Sequence, residues 1–284
     1  MSESRRTPPG PMEEAMSVAA GSQALERNHV RLSGVEGAPV IVFAHGFGCD
    51  QTMWRHVVPA FETTHRVVLF DHVGSGRSDL ASYDRDRYVS LHAYAEDVLE
   101  LLDVLGLHDV TFVGHSVSAM IGVLAANAQP GRIGRLVLLG GSPRYVDEPG
   151  YTGGFARADA DDLLEALESN HAEWSRSMAP VVMGTPGRPD LEDELSSSFL
   201  HTDAEVAAHF GRVTFLCDHR ADVQRVRVPT LILQSTHDPI VPAAVASWLH
   251  EHLLGSRLVA LEATGHYPHL SGPSETVRRI REFA

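Results

Sequence analysis

The stretch VTFVGHSVSAMIGVLAANAQ, residues 110–129, joins a run of strand formers to a helical run through the turn Gly114-His115-Ser116-Val117-Ser118. A serine on such a sharp turn projects its hydroxyl oxygen at the carboxyl edge of a sheet. The small residues Gly114 and Ser118 allow strand and helix to approach closely, although glycine is the usual residue at the second of these positions. The stretch therefore predicts a sheet that carries a reactive serine at its edge.

Short apolar runs alternate with helical runs on both sides of this turn. The apolar runs lack polar alternation, which is typical of strands buried on both faces. They are Val40–Phe43, Val67–Phe70, Val110–Val113, Leu136–Leu139, Leu231–Leu233 and Leu258–Leu261. Helical patterns cover 91–105, with Ser90 as N-cap and Gly106 as stop, and also 117–129 and 243–254. This order predicts an α/β fold, a mainly parallel sheet with helices on both faces.

Residues 141–222 interrupt the alternation. They contain the helical segments 159–174 and 191–200 and no good strand. Because a block of this length far exceeds an ordinary connection, we expect an inserted helical cap rather than a set of connecting helices. The predicted division is a flexible tail at 1–24, a core formed by 25–140 and 223–284, and a cap at 141–222.

A serine hydroxyl needs a base, and the base needs an orienting acid. After a turn of this kind the acid precedes the histidine in the chain. Asp238 follows the apolar run Leu231–Leu233, and His266 follows Leu258–Leu261, so both belong to the edge that bears Ser116. Ser116, Asp238 and His266 are therefore the predicted catalytic residues.

Several neighbouring residues compete for these roles or add to them. His269 is the alternative base, and Asp218 and Asp222 are alternative acids, although both precede the strand. The turn at His45-Gly46-Phe47-Gly48 follows an early strand, so the Phe47 and Val117 N–H groups are the expected oxyanion hole. We expect His45 and His115 beside the substrate. The aromatic residues and Met178 of 141–222 either line an apolar pocket or form a core of their own: Phe155, Trp174, Met178, Phe199, Phe210 and Phe215.

Composition excludes several classes of function. The chain has 284 residues and a formal charge of −14, which disfavours nucleic acid as a partner. All its basic residues other than histidine are arginine, so lysine-dependent chemistry is excluded, including pyridoxal phosphate and Walker-type phosphate loops. Cys49 and Cys217 are too few for a zinc cluster, and no metal or cofactor is expected. No apolar stretch is long enough for a membrane span or a secretory signal, so we expect a cytoplasmic protein, with Met12 and Met16 as alternative starts.

Four segments together resemble a known family: HGFGCDQTMW (45–54), FDHVGSGRSD (70–79), FVGHSVSAMIG (112–122) and SPRYV (142–146). From about residue 28 onward the chain resembles the α/β-hydrolase superfamily. It is similar in particular to the branch that holds the bacterial stress regulator RsbQ and the plant karrikin and strigolactone receptors. The resemblance implies a four-helix cap and the same triad and oxyanion hole. It also implies a pocket at Phe155, Trp174 and Phe215, with Met178 where the plant receptors tend to carry an aromatic.

Two functions follow from these observations. The first is a serine hydrolase that cleaves a small apolar ester or lactone through an acyl-enzyme on Ser116. The second is an RsbQ-like ligand sensor with slow hydrolysis that regulates a partner of the PAS-domain phosphatase type in a stress response. An acyltransferase or perhydrolase that uses the same serine is a third possibility. Receptor and enzyme share every catalytic residue in this branch, so the motifs alone do not separate them.

Overall fold

The computed structural model describes residues 21–284. Within them a seven-stranded sheet has the order β1-β3-β2-β4-β5-β6-β7. The strands are β1 Arg31–Gly34, β2 Val40–Ala44, β3 Arg66–Leu69, β4 Val110–His115, β5 Ile133–Leu139, β6 Thr230–His237 and β7 Arg257–Thr264. All neighbours are parallel except β1, which pairs antiparallel with β3. The predicted parallel sheet is confirmed, and β1 was missed because its sequence, RLSG, lacks an apolar run.

Ten helices follow the helical residues 21–27 in the described part of the chain. They are α1 Leu91–Val104, α2 Val117–Ala128, α3 Arg157–Ser169, α4 His171–Met183, α5 Pro189–His201, α6 Ala204–Phe215, α7 Arg220–Val223, α8 Ala243–His252, α9 Pro268–Ser271 and α10 Pro273–Arg281. Short 3-10 turns lie at Gln51–Trp54, Val58–Ala60 and Leu80–Ser82. No helix within residues 21–284 has the length and apolar character needed to cross a bilayer.

Successive strand residues face opposite cores. Ile41 and Phe43 belong to one buried cluster, whereas Val42 and Ala44 belong to the other. Side chains of a strand alternate between the faces of its sheet, so apolar residues at every position imply that both faces are covered. The unbroken apolar runs of β2 to β6 have this origin, whereas the run in the edge strand β7 is only partly buried.

The chain leaves β2 for β3 on one side and returns to β4 on the other side of β2. Such a reversal opens a crevice at the carboxyl ends of the two strands, where α/β folds place their sites. The loop after β2 and the turn after β4 both start there, because Ala44 pairs with Gly114 in the sheet. This edge therefore receives the predicted reactive serine.

Helices α3 to α6 are inserted between β5 and β6. The expected single helix over 159–174 is wrong, since α3 ends at Ser169 and α4 begins at His171. Asn170 separates them with non-helical backbone angles (φ −152°, ψ 78°), and its side chain accepts a hydrogen bond from the Glu173 N–H. An asparagine at this position ends one helix and caps the next.

Two smaller expectations are corrected. Residues 1–20 of the predicted tail lie outside the described residues, but 21–27 are helical and Ala24 is buried, so the predicted boundary at residue 24 is too late. Ser90 does stand at the N-cap of α1, although its side chain makes no capping hydrogen bond.

Candidate active site

Ser116 lies on the turn between β4 and α2 with backbone angles that a non-glycine residue rarely adopts (φ 54°, ψ −120°). Strain of this kind is kept only where the surrounding structure enforces it. Gly114 shows how tightly the turn is packed, because a Cβ at this position would lie 2.3 Å from the Ser118 carbonyl oxygen. The tight approach of strand and helix holds the strained serine at the sheet edge.

His266 and Asp238 meet Ser116 from the loops after β7 and β6. His266 Nε2 lies 2.8 Å from Ser116 Oγ, and His266 Nδ1 lies 2.9 Å from Asp238 Oδ2. Since a carboxylate only accepts hydrogen bonds, Nδ1 carries the proton and the Nε2 lone pair faces the serine hydroxyl. The structure thus brings the three predicted residues into the order serine, base and acid.

Backbone and side-chain amides orient the acid. Asp238 Oδ1 accepts hydrogen bonds from the N–H groups of Ile240 (2.9 Å) and Val241 (3.0 Å). The Gln234 amide approaches the other oxygen at 3.4 Å. The Asp238 side chain is 1% exposed, so its orientation depends on these protein groups rather than on water.

Other contacts hold the competing residues away from Ser116. The Asp218 carboxylate pairs with Arg144 and Arg220, and Asp222 pairs with His219. His269 is buried against the Trp54 ring at 4.6 Å, and burial lowers its pKa to about 3. None of the three contacts Ser116, so the geometry favours Asp238 and His266.

The predicted oxyanion donors stand on two adjacent segments. Val117 opens α2 directly after Ser116, and Phe47 lies in the loop after β2. Among the described residues, neither N–H donates a hydrogen bond to another protein group. Two free N–H groups beside a serine can stabilise a negatively charged oxygen, which agrees with their predicted role.

A small, largely apolar cavity of about 30 Å³ lies over Ser116. Three of the expected pocket residues line it: Trp174, Met178 and Phe215. The rest of the lining comprises Phe47, Ser116, Tyr145, Leu163, Val182, Phe199, Thr214, Ile240, His266 and Tyr267. The insertion supplies seven of these thirteen residues from α3 to α6, so it covers the serine and does not merely form a core of its own.

The other three expected pocket residues do not line this cavity. His45 is buried and accepts a hydrogen bond from the His72 N–H at 3.0 Å, while His115 Nε2 donates to the His266 carbonyl oxygen at 2.8 Å. Phe155 packs on Phe215 from outside the lining, with ring centroids 5.8 Å apart. A buried imidazole needs a hydrogen-bond partner, and backbone groups supply it for both histidines. His45 and His115 therefore do not face the cavity, although they are close to Ser116 or to the Phe47 turn in the sequence.

Tyr145 is a site residue that the sequence reasoning missed. Its hydroxyl lies 3.4 Å from Ser116 Oγ, and burial raises its pKa, so it stays protonated. The signal was present in SPRYV (142–146), which directly follows β5 and so starts at the same sheet edge. Tyr145 adds a hydroxyl group to a largely apolar wall.

The sheet order, the strained serine and the order of its partners define a class of protein. The sequence model of the alpha/beta hydrolase fold matches residues 39–273. The chain belongs to this family, as its motifs predicted.

Individual relatives show which branch of the family the chain resembles. The chain is 36% identical to the strigolactone esterase D14 of Arabidopsis thaliana, over 90% of this chain and 96% of the relative. It is 38% identical to a Petunia hybrida protein named karrikin insensitive 2 receptor CA, over 89% and 93% of the two chains. The solved structure of a hydrolase from Oleispira antarctica superposes with a TM-score of 0.90 at 37% identity, covering 93% and 96%. The predicted resemblance to the branch of karrikin and strigolactone receptors is confirmed.

Proposed function

We propose that the protein is a serine hydrolase that cleaves a small, mainly apolar ester or lactone through an acyl-enzyme on Ser116. One observation carries the proposal: Ser116, His266 and Asp238 form a continuous hydrogen-bonded chain on the wall of an apolar cavity. The relative named strigolactone esterase supports ester chemistry. Residues 141–222 are the proposed cap, supported by the share of the lining that they supply.

The geometry supports a two-stage mechanism. His266 Nε2 takes the hydroxyl proton as Ser116 Oγ attacks the substrate carbonyl, while Asp238 stabilises the resulting imidazolium. The Phe47 and Val117 N–H groups bind the oxyanion, and His266 then gives its proton to the leaving alcohol oxygen. In the second stage His266 removes a proton from the water that attacks the acyl group, and it then gives this proton to Ser116 Oγ as the carboxylic acid leaves.

Hydrolysis of p-nitrophenyl acetate and butyrate, followed from the first turnover, tests this proposal. We expect Ser116→Ala to abolish both the burst and the steady rate because it removes the nucleophile. Ser247→Ala is the control, since Ser247 lies on α8 away from the cavity and donates only to the Ala243 carbonyl. Full esterase activity in Ser116→Ala would refute the assignment.

A second candidate function is the ligand sensor with slow turnover. The relative named a karrikin receptor favours it. So does a contact at the site: the His266 N–H donates to the carbonyl oxygen of Val182 at 3.0 Å, and Val182 belongs to α4 of the proposed cap. A change at the catalytic histidine therefore has a direct route to the cap, whose surface would bind a regulator of the PAS-domain phosphatase type.

Hydrogen exchange separates the sensor from a simple esterase. A p-nitrophenyl ester that leaves Ser116 acylated is expected to change amide exchange in α3 to α6 of a sensor and to give one burst followed by near silence. Sustained turnover with unchanged exchange in these helices would contradict the sensor. We also keep a cytoplasmic location as a proposal, supported by the two unpaired thiols Cys49 and Cys217.

A further inference from the structure

Buried polar side chains connect the loops that leave three neighbouring strands. His45 follows β2, His72 follows β3, and Ser118 lies in the first turn of α2 after β4. All three side chains are buried. Buried polar groups are retained where their hydrogen bonds are satisfied, and here they satisfy one another across the loops.

The hydrogen bonds assign every proton of the group. Ser118 Oγ donates to the His45 carbonyl oxygen, so it must accept from His72 Nε2, which lies 2.7 Å away. The His72 backbone N–H donates to His45 Nε2 at 3.0 Å. His45 Nδ1 therefore carries the ring proton and donates to the Gly46 carbonyl oxygen at 2.9 Å. No donor or acceptor in this chain of contacts conflicts with another.

His72 remains a neutral donor in this group. Aromatic rings surround its imidazole, with the centroids of Phe70, Tyr94 and Phe210 at 5.1, 5.7 and 6.4 Å. His45 is its other ring neighbour, at 4.7 Å. Burial lowers the pKa of His72 well below its ordinary value, which agrees with a neutral ring.

The group lies directly behind the two proposed oxyanion donors. Ser118 follows Val117, and His45 precedes Phe47 by two residues. Beyond the end of the β2–β4 pairing at Ala44 and Gly114, the bond from Ser118 to the His45 carbonyl oxygen is a direct polar link between the two donor segments. Its length therefore helps to set the separation of the two donor N–H groups.

We propose that Ser118 and His72 are positioning residues that hold the Phe47 and Val117 N–H groups at the spacing a tetrahedral intermediate requires. This inference rests on the proposed function. Glycine, the usual residue at the position of Ser118, has no hydroxyl to make the link. In this chain the Ser118 hydroxyl connects the two segments by a hydrogen bond. Because His72 donates to Ser118 Oγ, the hydroxyl proton of Ser118 is directed at the His45 carbonyl oxygen.

Variants that remove one hydrogen-bonding group each test the proposal. In Ser118→Ala and His72→Phe we expect kcat for p-nitrophenyl acetate to fall roughly 10- to 100-fold, because displaced oxyanion donors stabilise the transition state less well. KM should stay within about twofold, since the ground state needs no oxyanion hole. The inhibition constant of a trifluoromethyl ketone, which forms a tetrahedral adduct with the serine, should rise by the same factor as kcat falls. His72→Gln retains an N–H near the position of Nε2 and should recover most of the rate.

The control is Ser175→Ala, which removes another fully buried serine that donates to a backbone carbonyl, that of His171 at 2.7 Å. It should leave kcat and the inhibition constant unchanged. Equal kcat in Ser118→Ala and wild type would overturn the positioning role, while the proposed function would stand as long as Ser116→Ala is inactive. If a variant fails to fold, the nitrogen chemical shifts of His72 in the wild-type protein still test the proposal. They show which ring nitrogen of His72 carries the proton, and a proton on Nδ1 instead of Nε2 would overturn the proposed hydrogen bond to Ser118.

Discussion

Two aspartates of this chain show how residue environment decides chemistry. The Asp238 side chain is buried, accepts two backbone N–H bonds and contacts the imidazole of His266. Asp218 is exposed on one side and paired with Arg144 and Arg220. The first is an orienting acid because its bonds hold it against His266, whereas the second is an ion-pair partner at the surface.

The substitution Asp238→Asn tests this difference at the level of one residue. An amide at this position can donate to His266 Nδ1 and so favours the wrong tautomer of the ring. We expect kcat to fall by about 10⁴ with little change in the unfolding midpoint, as in comparable triads. Asp218→Asn, measured in the same p-nitrophenyl butyrate assay, should retain wild-type kcat. Similar losses in both variants would show that the effect is structural and not due to the tautomer.

The loop that carries His266 is packed against the end of helix α4. Gly265 has φ +81°, and a Cβ there would lie 1.7 Å from the Met183 carbonyl oxygen at the end of α4. Its N–H donates to the His237 carbonyl oxygen at 2.7 Å. A glycine is required because both the backbone angle and the lack of space exclude a side chain.

Gly265→Ala should therefore separate the loop from the helix. We expect lower stability, and a lower kcat as well, because the His266 N–H loses its alignment with the Val182 carbonyl oxygen. Gly150→Ala is the matched control: Gly150 has φ +82°, but a Cβ there would meet no other atom within 4 Å. The control should lose only about 1 to 2 kcal/mol for the left-handed backbone and keep its activity. Urea unfolding and kcat measure the two effects, and equal losses in both variants would disprove the packing argument.

At the scale of the whole molecule, several buried histidines make folding sensitive to acid. Burial lowers the pKa of His72 and His115 well below 6.5, and that of His269 to about 3. Below pH 6.5 these histidines bind protons in the unfolded chain, whereas their buried rings stay neutral in the folded protein. The free energy of unfolding therefore falls as the pH falls through this range.

For each such ring, the free energy of unfolding is expected to fall by up to about 1.4 kcal/mol per pH unit as the pH is lowered. Replacing His269 with leucine should remove one ring's contribution to this slope between pH 6 and pH 4, because its two ring nitrogens are buried without hydrogen-bond partners among residues 21–284. Urea unfolding across this range measures it. His56→Gln, a change at an exposed histidine, controls for loss of a histidine as such. An identical slope in His269→Leu and wild type would rule out this origin of acid sensitivity.

Local patterns in the sequence were sufficient to predict most of the sheet and the three side chains, Ser116, Asp238 and His266, that meet at its edge. Six strands appear as apolar runs, and in β2 to β6 the cause is burial on both faces, whereas β7 is an edge strand that is mostly exposed or half-buried. The chain order Ser116, Asp238, His266 follows from which residues end those strands. The sequence likewise sufficed for the family and for the presence of an insertion between β5 and β6. These features depend on neighbours along the chain, so their signal is local.

Contacts between distant segments were decided only by the tertiary structure. His45 and His115 look like substrate contacts beside their turns, yet each points to a backbone or loop partner, while Tyr145 reaches Ser116 from the segment after β5. The orientation of a buried polar side chain depends on which partner can satisfy its hydrogen bonds, and that partner lies up to 151 residues away along the chain. Periodicity carries no information about such partners, which is why the sequence determined where the site lies and the packed fold decided which side chains face it.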